Sequence, residues 1–259
     1  MNKSKLSTYI YPLIFISLFF ILWEISADHG IVDSALFSKP SKIFQNLYDN
    51  WHSVLMHLSS TFYRLAVSFS ISAFIGIVSG IAMGASRMAY RFFDPLLTTL
   101  MCIPGIAMAP VFIAWFGFGN PTILTIGIIV AYFPIVYNVA TGVRSVDKNL
   151  VNAARIMGAD KKTIFLKVYL PSSAAYLMTG LKLGLARCWR TIIAVEFIAA
   201  TNFGLGYMIW DAYEYLDVTT VYGGIILLGV IFYTIEKTVV RELEKRTIEK
   251  WGVVSKHEW

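Results

Sequence analysis

The chain has 259 residues, enough for one large domain or two small ones. Hydrophobic residues make up 57% and charged residues only 15%, against about 25% in a soluble globular protein, and the mean hydropathy is +0.63. So few charges cannot cover the surface of a water-soluble fold this large, which sets aside soluble enzymes, nucleic-acid binders and disordered tails. The net charge of +6 is instead the signature of basic cytoplasmic loops on a membrane protein. Cys102 and Cys188 both lie in apolar stretches and make neither a disulfide framework nor a metal site.

A helix crossing the bilayer core needs about 20 apolar residues. Six stretches meet or approach that length, at about 9–25, 62–84, 95–116, 122–140, 175–200 and 221–239. Lys3 and Lys5 precede the first run as in a signal peptide. Trp23 and Glu24 interrupt it, however, and no good cleavage site follows, so it is read as a retained span. Six spans put both termini on one side. With the N-terminus in the cytoplasm, sixteen Lys and Arg residues fall inside and three outside (Lys39, Lys42 and Arg64), while Lys182, Arg187 and Arg190 lie within the fifth span. This asymmetry predicts an all-α integral membrane protein with six transmembrane helices and cytoplasmic termini.

The first outer segment, to about residue 61, is long enough for a surface helix beginning after Pro40. The second and third spans are joined by a loop at 85–94, and residues 117–121 form a tight Gly/Asn/Pro turn. Gly76, Gly80 and Gly84 recur every four residues in the second span, as do Gly180 and Gly184 in the fifth. Such stripes admit a closely packed helix, either within one subunit or across a dimer seam. Pro104 and Pro110 flank Gly105 in the third span and should kink or break it. Carbonyls freed there must face protein or a water-filled path, so this segment is a candidate pathway lining or a purely structural kink; Pro134 repeats the feature in the fourth span.

Lys182, Arg187, Arg190 and Glu196 interrupt the fifth span. At 100° per residue, about 180° separates Arg187 from Glu196, so they cannot pair on one helix. Each needs another helix, a lipid phosphate or a wet cavity, unless the basic residues snorkel to the cytoplasm. The cytoplasmic loop at 141–174 is the longest inside. Residues 149–157 read as a short helix with Leu150, Ala153, Ala154 and Met157 on one side. Gly158 is its natural stop, and a second short helix at 161–168 ends before Pro171. Two short helices around a glycine make a compact knob suited to a groove on a partner. The tail after the sixth span reads as a charged helix leaving the membrane.

This loop resembles the main cytoplasmic loop of the inner-membrane permease subunits of bacterial ATP-binding-cassette importers. Their pattern E-A-A-x3-G-x9-I-x-L-P is occupied here by Asn152, Ala153, Ala154, Gly158, Val168, Leu170 and Pro171 without insertion. Asn152 departs from the usual Glu and carries no charge for a salt bridge. The blocks "GASRMAYRFFDPLL", "IPGIAMAPVFIAWFGFG", "GVRSVDKNL", "TGLKLGLARCW" and "GLGYMIWDA" extend the resemblance over nearly the whole chain and place it in the nitrate/sulfonate/taurine branch.

The resemblance implies one transmembrane permease domain over 1–259: a first span and outer segment (1–61), a five-span transport unit (62–240) and a cytoplasmic tail (241–259). It implies an ATPase-coupling loop carrying Asn152, Ala153, Ala154, Arg155, Gly158, Ala159, Leu170 and Pro171. A translocation pathway would carry Pro104, Pro110, Arg187, Arg190 and Glu196. The implied partners are an ATPase subunit dimer, a second permease copy, an extracytoplasmic solute-binding protein and the lipid of a prokaryotic inner membrane, with no nucleic acid. The chain has no G-x4-G-K-[ST] phosphate loop, so it is read as non-catalytic, with ATP and Mg held by the partner and no metal or cofactor of its own. The substrate expected is a small anion of the nitrate, sulfonate or taurine type, or alternatively an aromatic acid or vitamin precursor. An ATP-independent carrier would need an internal repeat and mid-membrane carboxylates. A membrane enzyme would need His/Asp clusters, whereas the four histidines, at 29, 52, 57 and 257, are scattered.

Overall fold

The computed structural model describes residues 3–31, 33 and 36–244, and every described element is a helix. In chain order these are α1 (Lys3–Asp28), α2 (Pro40–Asp49), α3 (Trp51–Ala85), α4 (Arg87–Met101), a 3₁₀ turn (Gly105–Met108), α5 (Ala109–Phe116), α6 (Asn120–Ser145), α7 (Lys148–Ile156) and α8 (Lys161–Ile164). A π-helical turn (Phe165–Tyr169) leads into α9 (Leu170–Ala199). Then come α10 (Leu205–Glu214), α11 (Val218–Ile235), a second π turn (Glu236–Val240) and α12 (Arg241–Glu244). Four helices are long and apolar enough to cross a membrane, within α1, α3, α6 and from α11 into the second π turn; α4 and α5 with its 3₁₀ turn make a fifth candidate, bent by 93°. The charged tail from 245 onward lies outside the described residues.

The core is a three-helix slab with α6 in the middle. Small residues line α3 every fourth position, at Ser68, Ser72, Gly76, Gly80 and Gly84, and α6 lies directly against them. A Cβ at Gly80 would sit 2.7 Å from Val139 Cβ and 3.0 Å from the Val136 carbonyl oxygen. On the other face, a Cβ at Gly180 or Gly184 would meet Asn138, Ile135 or the Ala131 carbonyl at 2.8–3.3 Å. Both glycine stripes therefore serve packing within one chain, where lipid supplies no hydrophobic drive and close backbone approach gives the dispersion contacts. Ser68 and Ser72 add hydroxyl bonds to the Leu124 and Ile128 carbonyls, at 3.1 and 2.7 Å.

The order of these contacts sets the topology. Gly76, Gly80 and Gly84 meet Ile135, Val139 and Val143 in the same direction, so α3 and α6 are parallel; α9 runs antiparallel to both. Residues 86–119 must then carry the chain back along the slab. They do so as a broken element, with Pro104 starting the 3₁₀ turn and Pro110 sitting in the first turn of α5, positions where a missing N–H costs nothing.

Several boundaries differ from the sequence expectation. The outer segment ends at residue 50, because α3 starts at Trp51 and runs 35 residues. The loop expected at 85–94 is one residue, Ser86, whose hydroxyl accepts from the Ala89 N–H and caps α4. The second loop helix does not stop before Pro171. Chain from Lys161 continues into α9, with Leu170 N–H bonding the Phe165 carbonyl five residues back, a π turn that absorbs the proline. The turn at 117–121 is as expected, with Gly117 and Gly119 at φ +76° and +103°. Helix α10 was not anticipated.

Replacing Gly80 with Val should lower stability by about 1–3 kcal/mol, the usual cost of overpacking a close contact. The check is thermal unfolding of purified protein in detergent. Gly229→Val is the control, since nothing lies within 4 Å of a Cβ there and it should leave the midpoint unchanged.

Candidate functional site

The knob at the C-terminal ends of α3 and α6 is built from local capping. Asp147 caps α7 by accepting from the Asn149 N–H at 2.8 Å, and Asp160 caps α8 through the Thr163 N–H at 3.1 Å. The Thr163 hydroxyl and N–H hold the Asp160 carboxyl below the usual carboxylate range. Between the two helices Gly158 takes φ +80°. Its N–H bonds the Arg155 carbonyl at 2.9 Å, and Ala159 N–H bonds Ala154 at 3.0 Å, closing α7 as a glycine C-cap should.

Val146, Val151 and Ile164 are buried together under the knob, with Ala154, Ala159, Val168 and Tyr169 packed on them. This corrects the expected apolar side of α7: Val151 and Ala154 face inward, whereas Leu150 and Ala153 are exposed and Met157 is 85% exposed. One helical position of rotation separates the two faces, and the anchor is the β-branched Val151. Asn152, Ala153, Arg155, Ile156 and Met157 thus form an exposed tip with an apolar point, Ile156 being 88% exposed. Leu170 and Pro171 lie at the root, where α9 begins.

The expected pathway residues separate into two groups. Pro104, Pro110, Arg187 and Arg190 are exposed. Arg187 Nη1 donates to the Met101 carbonyl at 3.1 Å, satisfying an acceptor left free where α4 ends. A Cβ on Gly105 would strike Thr191, so the broken segment rests on the Arg187–Thr191 face of α9. Lys182 reaches Glu236 at 3.6 Å on a half-exposed edge.

Glu196, by contrast, has no exposed surface. Its carboxylate pairs with Arg64 Nη1 at 2.6 Å and accepts from the Thr61 hydroxyl at 2.9 and 3.0 Å and from the Gly206 N–H at 2.9 Å. Arg64 also donates to Asn120 Oδ1 at 2.8 Å and the Phe203 carbonyl at 2.7 Å. Leu205 N–H donates to Thr61, and His57 Nδ1 bonds the Gly204 carbonyl at 3.0 Å. Gly204, at φ +154°, has no room for a Cβ, which would fall 2.6 Å from both Arg64 Nη1 and the Glu196 carboxyl carbon. Arg64, expected outside the membrane, is therefore buried within α3 and joins α3, α6, α9 and α10 at one end of the slab. The available signal was two opposite charges in two apolar runs, both near the outer ends assigned to them.

Removing one partner of a buried pair strands the other charge, which costs about 3–5 kcal/mol. Arg64→Ala should therefore destabilise the protein more than the double change Arg64→Met with Glu196→Leu. Thermal unfolding of the two variants in detergent checks this, and equal loss would contradict it.

Residues 72–241 match the family described as "Binding-protein-dependent transport system inner membrane component". The chain is 32% identical to the taurine transport system permease protein TauC of Escherichia coli, over 76% of this chain and 71% of that protein. It is 29% identical to the bicarbonate transport system permease protein CmpB of Synechococcus elongatus, over 92% and 89% respectively. A solved structure of the MetNI methionine ABC transporter, in inward-facing conformations, shares the fold with a TM-score of 0.63 at 21% identity, covering 75% of this chain and 98% of that one. The helical slab, the glycine-capped knob and these likenesses converge: the chain belongs to the binding-protein-dependent inner-membrane component family and is a multi-pass, non-catalytic permease subunit of an ATP-binding-cassette importer.

Proposed function

We propose that this permease crosses a prokaryotic inner membrane six times with both termini in the cytoplasm, and that the knob of α7 and α8 is its coupling site for a separate ATPase. The spans are α1, α3, the bent α4–α5 pair, α6, α9 and α11. Helix α9 carries four charges, yet it qualifies because Glu196 is paired with Arg64, Arg187 bonds the Met101 carbonyl and Lys182 reaches Glu236. The parallel α3 and α6 support an odd number of crossings between them, and the positive-inside count places the knob in the cytoplasm. The whole chain, 1–259, forms one permease domain.

The observation that carries the coupling reading is the shape of the 152–171 segment. The residues matching the loop pattern do two jobs: Ala154, Gly158, Val168 and Leu170 build the knob and its root, while Ala153 is presented on the tip beside Asn152, Arg155, Ile156 and Met157. A partner groove gripping that tip acts on a short lever rooted in α6 and α9. ATP and Mg bind the ATPase dimer, whose closure moves two such knobs, on this chain and a second copy. The slabs then tilt, opening the path outward to an extracytoplasmic solute-binding protein; hydrolysis resets it. Arg187, Arg190, Pro104 and Pro110 line that path, where the broken α4–α5 backbone needs polar surroundings. Glu196 shapes the path from behind, by fixing α9 and α10.

The substrate class is a small anion of the sulfonate, taurine or bicarbonate type. Support comes from the relatives that transport taurine and bicarbonate, and from the exposed guanidinium groups of Arg187 and Arg190.

Gly158→Val tests the coupling site. No atom crowds the position, so the change acts through the left-handed backbone, which costs about 1–2 kcal/mol for a residue with a Cβ. In the reconstituted complex, uptake should fall roughly fivefold or more while ATP hydrolysis persists, equivalent to losing a coupling free energy of ~1 kcal/mol. Unchanged uptake would overturn the assignment.

A further inference from the structure

Two adjoining cavities sit at the knob end of the slab, the second bordered by Arg155 and Ala159 of the coupling loop. The first, about 360 Å³, is lined by Gly84, Arg87, Arg144, Lys148 and Tyr169. The second, about 530 Å³, is lined mainly by apolar groups, among them Ile81, Ile164 and Phe165. They share Ala85, Val143 and Tyr169 as a common wall. Three exposed cations thus converge from the start of α4, the end of α6 and the start of α7. Among the described residues none of the three forms an ion pair. The neighbouring carboxylate of Asp147 is engaged in capping α7, and Asp160, which lines the second cavity beside Arg155 and Lys161, is engaged in capping α8. The Arg144 guanidinium rests 4.0 Å above the Tyr90 ring, which fixes its direction without neutralising it.

A cationic pocket opening beside an apolar groove has the shape of an amphiphile carrying a phosphate diester. We infer that this end of the permease holds an anionic phospholipid, with its headgroup phosphate among Arg87, Arg144 and Lys148 and an acyl chain along Ile81 and Phe165. Free phosphate would use the first cavity and leave the apolar one empty, whereas a phospholipid uses both. The position also suits a lipid. Arg87, Arg144 and Lys148 stand at the ends of α3 and α6, which on the proposed topology is the cytoplasmic membrane boundary, where basic pockets between spans meet anionic headgroups. A lipid held here would link the slab to the root of the knob through Tyr169 and Val143.

The test is native mass spectrometry of the purified complex in detergent, titrated with dioleoylphosphatidylglycerol or dioleoylphosphatidylcholine. The wild-type chain should retain phosphatidylglycerol in preference to phosphatidylcholine, and millimolar inorganic phosphate should not displace it. The triple variant Arg87→Gln, Arg144→Gln, Lys148→Gln should retain it roughly a hundredfold less well, about fivefold for each cation removed. Unaltered retention in the variant would overturn the inference, as would displacement by inorganic phosphate, which would make free phosphate the ligand. Unaltered retention with lost ATPase binding would make the pocket a partner contact instead. A second measurement needs no variant: phosphatidylglycerol should slow acylation of Lys148 by an amine-reactive ester in the wild-type complex while leaving Lys42, at the other end of the chain's slab, unaffected. Equal labelling of Lys148 in both lipids would also refute the site. Neither readout depends on transport, so its failure leaves the permease assignment standing.

Discussion

The architecture rests on the closeness with which α3 and α9 approach α6. In lipid there is no gain from hiding apolar surface, so the helices are held by dispersion contacts and by whatever polar bonds they make across the gap. Ser68, Ser72, Gly76, Gly80 and Gly84 on one side, and Gly180 and Gly184 on the other, bring backbones within reach of β-branched side chains and carbonyls of α6. A single side chain larger than these would separate the helices. These contacts repeat over several turns of the three helices.

Each end of that body is finished differently. At one end the Arg64–Glu196 pair is wrapped by Thr61, Asn120, Phe203 and Gly206, binding four helices together. A buried pair so fully satisfied contributes specificity of arrangement more than net stability, since desolvating the two charges offsets much of their attraction. At the other end the chain leaves α6 through Val146, makes the knob, and returns into α9 through a π turn. Force applied to the exposed tip therefore reaches two of the three slab helices directly. On the proposed coupling role, a rigid ion pair at one end and a short lever at the other are what a subunit driven by a separate ATPase would use.

Much of this could be read from the sequence, and the failures have physical causes. The glycine spacing, the break near Pro104 and the glycine stop at 158 are local signals that appear in the structure, whereas of the six apolar runs four give helices long and apolar enough to cross a membrane, or five with the bent α4–α5 pair, and α9 is not among them. The pairing of Arg64 with Glu196 is not local: 132 residues separate them, and only the folded slab brings them together. Counting Arg64 as an outer charge followed from its place near the start of an apolar run. Its burial depends on the thirteen residues before it extending α3 outward from Trp51, and residues 51–61 are too mixed in character to announce a span. Reading Pro171 as a helix stop applied the usual rule, but a π turn can absorb the proline by shifting the hydrogen bond to the fifth residue back. The inward face of α7 lies one position from the expected one: Ala154 packs inward as expected, but Val151 takes the anchoring place that Leu150 was expected to hold.

The central claim is that an ATPase grips the tip of the knob. A photo-crosslinking amino acid placed at Ile156, which is 88% exposed, probes it within the intact complex in native membranes. The account predicts a covalent adduct with the ATPase subunit that changes in yield when ATP is trapped. Adducts formed only with lipid, or only with a reagent added from outside the cell, would contradict it.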